Sequence, residues 1–123
     1  MHPLAFKAAE ASHCAKEQGK FWEMHDSMMA DQQTLDALES HAESIQLDIV
    51  RFQTCLNTDK YADAVSQDMA TAKKLGVNGT PGFVLALTDP EDPSSVTGLI
   101  HLRGAQPFEN FKQVLDQVLA EEE

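Results

Sequence analysis

The sequence predicts a helix-rich α/β fold, and three features of the chain support that prediction. Residues 1–76 carry apolar side chains at helical spacing, with helix-ending glycines at Gly19 and Gly76. Two short apolar segments, 83–87 and 99–102, flank the polar stretch TDPEDPSSVTG and are typical of a β-hairpin. A final helical pattern begins at Pro107, since proline is favoured at the first position of a helix.

Capping residues and glycines delimit five helices ahead of the hairpin. They are a first helix from Pro3 to about Gln18, a second from Lys20 to about Met29, a third beginning at Thr34, a short fourth capped by Asp48, and a fifth from Thr58 or Asp59 to Gly76. The helix after the hairpin has an apolar stripe of Phe108, Phe111, Leu115 and Val118. We expect one domain, with a helical part at 1–76 and a hairpin and helix at 77–123.

The charge of the chain argues against two classes of partner. Its 123 residues include 20 acidic and 9 basic side chains, which gives a formal net charge of −11. Because nucleic acids and anionic membranes are bound by basic surfaces, we expect neither as a partner. As written, the chain has no secretory signal and no apolar run of membrane-spanning length, so we expect a cytoplasmic protein. A segment upstream of Met1 would change that expectation to a periplasmic or secreted protein.

The segment GVNGTPGF, residues 76–83, places a proline directly before a predicted strand. Proline lacks a backbone N–H and is uncommon inside strands, so Pro81 requires a local reason. Glycines on both sides supply the freedom that a sharp turn needs. The residues alone leave two interpretations open. One is a trans proline at the strand edge, which the rarity of cis bonds favours, and the other is a cis proline with a backbone role.

The two cysteines, Cys14 and Cys55, lie far apart in the sequence and form no C-x-x-C pair. We expect thiols in a reducing compartment and allow a disulfide in an oxidising one. No metal or other cofactor is predicted, because His13, Cys14, His25 and Cys55 lack the spacing of known zinc sites. The chain also has no phosphate-binding glycine loop and no carboxylate pair with a spacing suited to acid–base catalysis.

Three segments of the chain resemble the DsbA-like family of thioredoxin-fold proteins, a family of thiol-disulfide oxidoreductases. In the family's order, they are HPLAFKAAEASHCAKEQGKFWEMHD at 2–26, GVNGTPGF at 76–83 and LRGAQPFENFKQVLDQ at 102–117. The resemblance implies a cis Thr80–Pro81 peptide bond, with Gly79, Thr80 and Pro81 in a loop that faces a bound peptide. For Cys14 and Cys55 it implies a structural disulfide, while buried free thiols and a redox-sensing pair stay open.

The chain departs from this family in a respect that bears on function. Family members begin with a strand, a helix opened by C-x-x-C and a second strand, and none of these precedes His2 and Pro3 here. We therefore expect a truncated domain without the catalytic dithiol. Apolar surface left uncovered by the missing elements predicts a homo-oligomer, such as a dimer that exchanges elements, or the binding of an extended peptide or another protein.

Two functions stay open on the sequence. The first is a non-catalytic module that associates with itself and binds a peptide or protein, and the second is a thiol-disulfide oxidoreductase or a related thiol-using isomerase or transferase. The second requires that the chain be a fragment of a longer enzyme, or that Cys14 or Cys55 be redox-active. We favour the first, so no catalytic residue is assigned.

Overall fold

A computed structural model of the protein describes residues 3–121, which form six α-helices, a 3₁₀ turn and a two-stranded sheet. In chain order, the helices are α1 (Ala5–Lys16), α2 (Phe21–Ala30), α3 (Leu38–Ser44), α4 (Ile49–Asn57), α5 (Ala62–Lys74) and α6 (Phe108–Glu121). The strands are β1 (Gly82–Thr88) and β2 (Val96–Arg103), and the 3₁₀ turn is Gln32–Thr34. The predicted helix-rich α/β fold is confirmed, with the hairpin and the last helix in the expected order.

The chain divides into two units, one ending at Asp68 and the other beginning at Met69. The first unit contains α1 to α4, and the second contains the hairpin and α6. Residues of α5 belong to both units, because the division falls within that helix. The change of character expected near residue 76 therefore falls inside the second unit.

Small side chains on α1 let the helices of the first unit approach closely. Ala11 and Ala15 are completely buried, and Met24 of α2 and Phe52 of α4 fill the same core. Burying a large apolar side chain stabilises the fold by roughly 1.5–3 kcal/mol relative to exposing it. The core of this unit therefore depends on α1, α2 and α4 together.

A disulfide between Cys14 of α1 and Cys55 of α4 joins two helices of this core. The two Cα atoms lie 5.9 Å apart, and both side chains are buried. The bond connects positions that are 41 residues apart in the sequence. Closing a loop of that length stabilises the folded state by about 4 kcal/mol in the chain-entropy account. Of the states that the sequence left open for this pair, the structure contains the disulfide.

The buried polar side chains described in the first unit have hydrogen-bond partners. His41 is almost fully buried, and its ring nitrogens lie 2.7 Å from the Ser27 hydroxyl and 3.0 Å from the Thr34 hydroxyl. Glu10 is also buried, and its carboxylate lies 3.3 Å from the Lys7 ammonium. Within residues 3–121, no buried side-chain nitrogen or oxygen lacks a partner, so none of them indicates a missing ligand.

The third helix begins later than the sequence predicts. Thr34 lies in the 3₁₀ turn, where the Gln33 N–H donates a hydrogen bond to the Asp31 carboxylate at 3.3 Å. An aspartate that satisfies a nearby backbone donor stabilises a turn, and the turn competes with a helix that starts at Thr34. The helix α3 therefore begins only at Leu38.

The fifth helix also begins later than predicted. Asp59 has a φ of 54°, in the left-handed region that lies outside the α-helix. The Ala62 N–H donates to the Asp59 carbonyl oxygen at 3.1 Å and closes a turn there. As a result, α5 starts at Ala62 and not at Thr58 or Asp59.

The second unit is built on the antiparallel pairing of β1 with β2. The register shifts between Leu85 and Leu87, where β2 forms a bulge that includes Gly98 at a φ of +70°. Phe83 of β1 packs edge to face on Phe111 of α6, with the ring centroids 4.9 Å apart. The helix α6 therefore covers the face of the sheet to which Phe83 points.

We predict that reducing the Cys14–Cys55 disulfide lowers the free energy of unfolding by about 3–4 kcal/mol, because reduction releases the loop in the unfolded chain. Urea unfolding followed by circular dichroism, with and without reductant, measures the difference. The control is the Cys14→Ala/Cys55→Ala variant, whose midpoint should not respond to reductant. Two free thiols in the folded, unreduced protein, or a midpoint unchanged by reduction, would contradict the prediction.

Candidate functional site

The loop between α5 and β1 begins with a glycine cap. Gly76 has a φ of +83°, and its N–H donates to the Lys73 carbonyl oxygen at 3.0 Å. The Val77 N–H donates to the Ala72 carbonyl oxygen at 2.9 Å. Together these bonds satisfy the last carbonyls of the helix, and the left-handed glycine turns the chain away from the helix axis. The cap therefore ends α5 and sets where the loop segment 78–81 starts.

The Thr80–Pro81 peptide bond is cis, which is the conformation that the family resemblance implies. The Pro81 carbonyl oxygen accepts a hydrogen bond from the Gly104 N–H at 2.9 Å, and this bond ties the loop to the end of β2. Thr80 is exposed, and its backbone N–H and C=O have no hydrogen-bond partner within residues 3–121. Both backbone groups are therefore open to a ligand.

Close packing inside the loop requires a glycine at position 82. A Cβ atom added to Gly82 would lie 2.7 Å from Cγ1 of Val77 and 3.4 Å from the carbonyl oxygen of Gly79. The first distance is shorter than any normal carbon–carbon contact. Gly82 thus lets the residues before the cis bond fold back against the start of β1.

A cavity of about 160 Å³ lies beside this loop, and we call it the proline notch. It is lined by residues 78–82 and by His101, Arg103 and Gly104 at the end of β2. The sheet register pairs Gly82 with Arg103 and Val84 with His101. Because side chains alternate along a strand, His101 and Arg103 lie on the face opposite to Phe83 and α6. The notch therefore combines free backbone groups with two nitrogen-bearing side chains.

The disulfide borders a shallow depression of about 280 Å³, whose lining includes Glu17, Cys55 and Lys60. Glu17 forms an ion pair with Lys60 and accepts a hydrogen bond from the Tyr61 hydroxyl at 2.7 Å. The hydrogen bond from Lys60, followed by that from Tyr61, holds the pKa of Glu17 below its ordinary value of 4.5. The bond to Glu17 raises the pKa of Tyr61. While Cys55 is paired it has no thiolate, so it offers no nucleophile to this depression.

The first unit also has an apolar groove of about 290 Å³ between α1 and α2. Phe21, Met28 and Leu35 contribute to its lining. Next to it, Trp22 and Met29 are 66% and 58% exposed. Part of the apolar side of α2 is therefore uncovered, as the sequence led us to expect.

The structure brings the predicted site residues into two separate groups. Gly79, Thr80 and Pro81 form one exposed loop in the second unit. Cys14 and Cys55 form one disulfide in the first. In the sequence analysis these were two independent candidates.

Two residues of the proline notch were missed by the sequence reasoning. His101 lies in the segment 99–102, which was interpreted as a returning apolar strand, and Arg103 lies in the segment LRGAQPFENFKQVLDQ, which entered only through the family resemblance. The signal that could have found them is their alternation with Ile100 and Leu102, which puts the two polar side chains on one face. Their position next to Pro81 depends on the strand register, which alternation alone does not give.

Within residues 3–121, no three His, Cys, Asp or Glu side chains are arranged to hold a metal ion. The residues first considered for a metal site include Cys14 and Cys55, which have no thiolate to offer while they are joined. In the same part of the chain, no helix has both the length and the apolar character that crossing a membrane requires.

Comparison with known proteins identifies one family. The model of the DSBA-like thioredoxin domain matches residues 2–116. The Na(+)/H(+) antiporter NhaA 3 of Salinispora tropica is 42% identical over 85 residues, which cover 68% of this chain and 13% of the antiporter. The antiporter NhaA of Herminiimonas arsenicoxydans is 32% identical over 104 residues, which cover 80% of this chain and 17% of that protein. This chain therefore spans only a small part of the curated relatives that it matches, and no solved structure matches it.

We predict that Gly82→Ala lowers the free energy of unfolding by about 1–3 kcal/mol, because the new Cβ would overlap the Val77 side chain. Gly79→Ala is the matched control. A Cβ at Gly79 meets no atom within 4 Å, so that change should stay within about 0.5 kcal/mol. Urea unfolding measures both variants. Equal midpoints would mean that Val77 moves aside freely, and they would contradict this account of the loop.

We predict that Glu17 contributes to stability above about pH 4.5 and that this contribution is lost as the pH falls through the lowered pKa of the folded state. The unfolded chain takes up the proton first, so acid favours unfolding. The difference in urea midpoint between the wild type and Glu17→Gln should narrow when the pH is lowered from 7 to 3. As a control, Glu39→Gln removes an exposed carboxylate without a hydrogen bond or ion pair in the described residues. A constant difference for Glu17→Gln across this range would refute the prediction.

Proposed function

The chain belongs to the family of DSBA-like thioredoxin domains, and from that membership we propose that it binds an extended peptide at the Thr80–Pro81 loop without carrying out dithiol exchange itself. The family is one of thiol-disulfide oxidoreductases, and the resemblance to it implies that Gly79, Thr80 and Pro81 face a bound peptide. The peptide-binding part of that activity needs only a suitable backbone, whereas the redox part needs a reactive dithiol. The Thr80–Pro81 loop of this chain is suited to the peptide-binding part.

The observation that carries the proposal is the unpartnered backbone of Thr80. Thr80 is exposed, and its N–H and C=O have no partner within the described chain, although the residue lies only two positions before the strand β1. An extended peptide satisfies such a pair of groups by hydrogen bonding to them as a neighbouring strand would. The bond from Gly104 to Pro81 holds the loop in place, so little order has to be created on binding.

The open edge of the hairpin extends this surface. In the described residues β1 pairs only with β2, so the other edge of β1 has free backbone groups. A strand from another molecule adds to such an edge through main-chain hydrogen bonds. We propose that the added strand is a peptide segment of a protein partner, or the same edge of a second copy in a dimer.

Redox catalysis by these residues has little chemical support. Thiol-disulfide exchange requires a thiolate that attacks and a second thiol that resolves the mixed disulfide. The 123 residues contain two cysteines, which are buried and joined to each other. A buried disulfide inside a helical core is suited to stabilising the unit and not to turnover.

The similarity to antiporters indicates a related domain, and it is not an argument for transport activity in this chain. The matched regions make up 13% and 17% of the two proteins named above. We propose that the binding module of this chain corresponds to a similarly small region of those larger proteins. Ion transport is not proposed for these residues.

Thiol-disulfide oxidoreductase activity is the second candidate, and one observation favours it. Cys55 lines the depression that also contains Arg51 and Lys60, and neighbouring cations stabilise a thiolate. Reduction of the disulfide would then leave the Cys55 thiol in a depression with Arg51 and with Lys60, whose charge is paired with Glu17. A thiol-exchange assay on a disulfide substrate, run with the wild type and with Cys14→Ala/Cys55→Ala, separates the two candidates. Exchange by the wild type that the variant loses would establish the second.

Peptide binding tests the first candidate, using fluorescence anisotropy with a panel of labelled extended peptides. We predict that Gly79→Phe weakens binding by about tenfold or more, because the ring would fill the space next to Thr80. Gly79 is exposed and a Cβ there meets no atom within 4 Å, and circular dichroism of the variant checks that the fold accepts the ring. Val50→Phe adds the same ring at a position that is 73% exposed in the first unit, and it should bind like the wild type. Equal binding by both variants, or no binding of any peptide, would contradict the proposal.

A further inference from the structure

We infer that the peptide bound at this loop carries an acidic side chain, aspartate or glutamate, which Arg103 and His101 receive in the proline notch. The inference rests on the proposed peptide binding and adds the chemistry that selects the peptide. It is carried by the position of Arg103, the space in front of it and the charge around it.

The position of Arg103 follows from the sheet register. Arg103 pairs with Gly82, and His101 pairs with Val84, so both side chains leave the sheet on the same face. That face is opposite to the one on which Phe83 meets Phe111. No packing against α6 therefore occupies the two side chains, and both line the notch.

The space in front of Arg103 is the proline notch, whose lining also includes Gly82, the cross-strand neighbour of Arg103. Adjacent strands lie about 4.8 Å apart, so a peptide on the open edge of β1 lies roughly 10 Å from β2. Gly82 is the β1 residue between the peptide and Arg103, and the Val77 side chain packs on it, so an acidic side chain would reach Arg103 through the notch beside Thr80 and Pro81. An arginine and an acidic side chain together span this distance. The notch volume of about 160 Å³ is large enough for a carboxylate group.

The positive charge of Arg103 is not paired with an acidic group inside the described chain. Its guanidinium forms no hydrogen bond or ion pair within residues 3–121, and no acidic residue lines the notch. A guanidinium binds a carboxylate in a bidentate geometry, and the ring of His101 adds a further donor.

The same chemistry could come from the carboxyl terminus of a peptide. We commit to a side chain, because an added strand continues past Gly82 and directs alternate side chains toward the face of Arg103. A terminal carboxylate would end the strand at that point and forgo the remaining edge of β1. Peptides with free and amidated carboxyl termini distinguish the two sources.

The test compares peptides that carry one aspartate or one asparagine, with the substitution moved stepwise along an otherwise neutral extended sequence. In the wild type, aspartate at one position should bind about fivefold more tightly than asparagine at low salt, and the preference should shrink as salt screens the pair. In Arg103→Gln the preference should fall below about twofold. Arg51→Gln removes an exposed arginine of the first unit and should keep the full preference.

Each outcome has a separate meaning. Equal binding of aspartate and asparagine peptides at every position would overturn the inference and leave peptide binding intact. A preference that survives in Arg103→Gln, or one that follows the free carboxyl terminus, would also overturn it. If no peptide binds the wild type, the proposed function itself fails, and the inference fails with it.

Discussion

One backbone hydrogen bond, from the Gly104 N–H to the Pro81 carbonyl oxygen, fixes the geometry on which the candidate site depends. It joins the end of β2 to the residue before β1, next to the pair that Gly82 and Arg103 form in the sheet. Because Pro81 is held in this way, the backbone N–H and C=O of Thr80 keep a fixed position relative to β1. Groups held on a rigid element lose little entropy when a ligand binds.

The two units of the chain have different roles, since the first is a stable helical bundle and the second carries the candidate binding loop. In the first, apolar packing around Phe52 and the Cys14–Cys55 disulfide stabilise a bundle of helices. In the second, a two-stranded sheet is supported on one face by α6 and carries the loop. Two strands have limited stability alone, so the packing of Phe83 on Phe111 contributes directly to the site. Family membership explains the order of these elements, while the proposed activity depends on the loop itself.

Much of the fold could be predicted from the sequence, because helical spacing and the glycine at position 76 are local signals. The loop around Pro81 was predicted through the family resemblance and not from spacing. The helix starts at Thr34 and Asp59 were wrong, since turns with their own hydrogen bonds overrode the periodicity there. Arg103 was missed because its role depends on strand register, which is set by contacts distant in the sequence.

The most direct test of the central claim is a nuclear magnetic resonance titration of the isotope-labelled protein with an extended peptide. Backbone amide shifts report which residues meet the ligand. If the loop binds the peptide, the amides of Gly79, Thr80 and Gly82 should shift together with those of β1, while the amide of Cys14 in the helical core stays unchanged. Shifts confined to the apolar groove near Trp22, with Thr80 unaffected, would contradict the account.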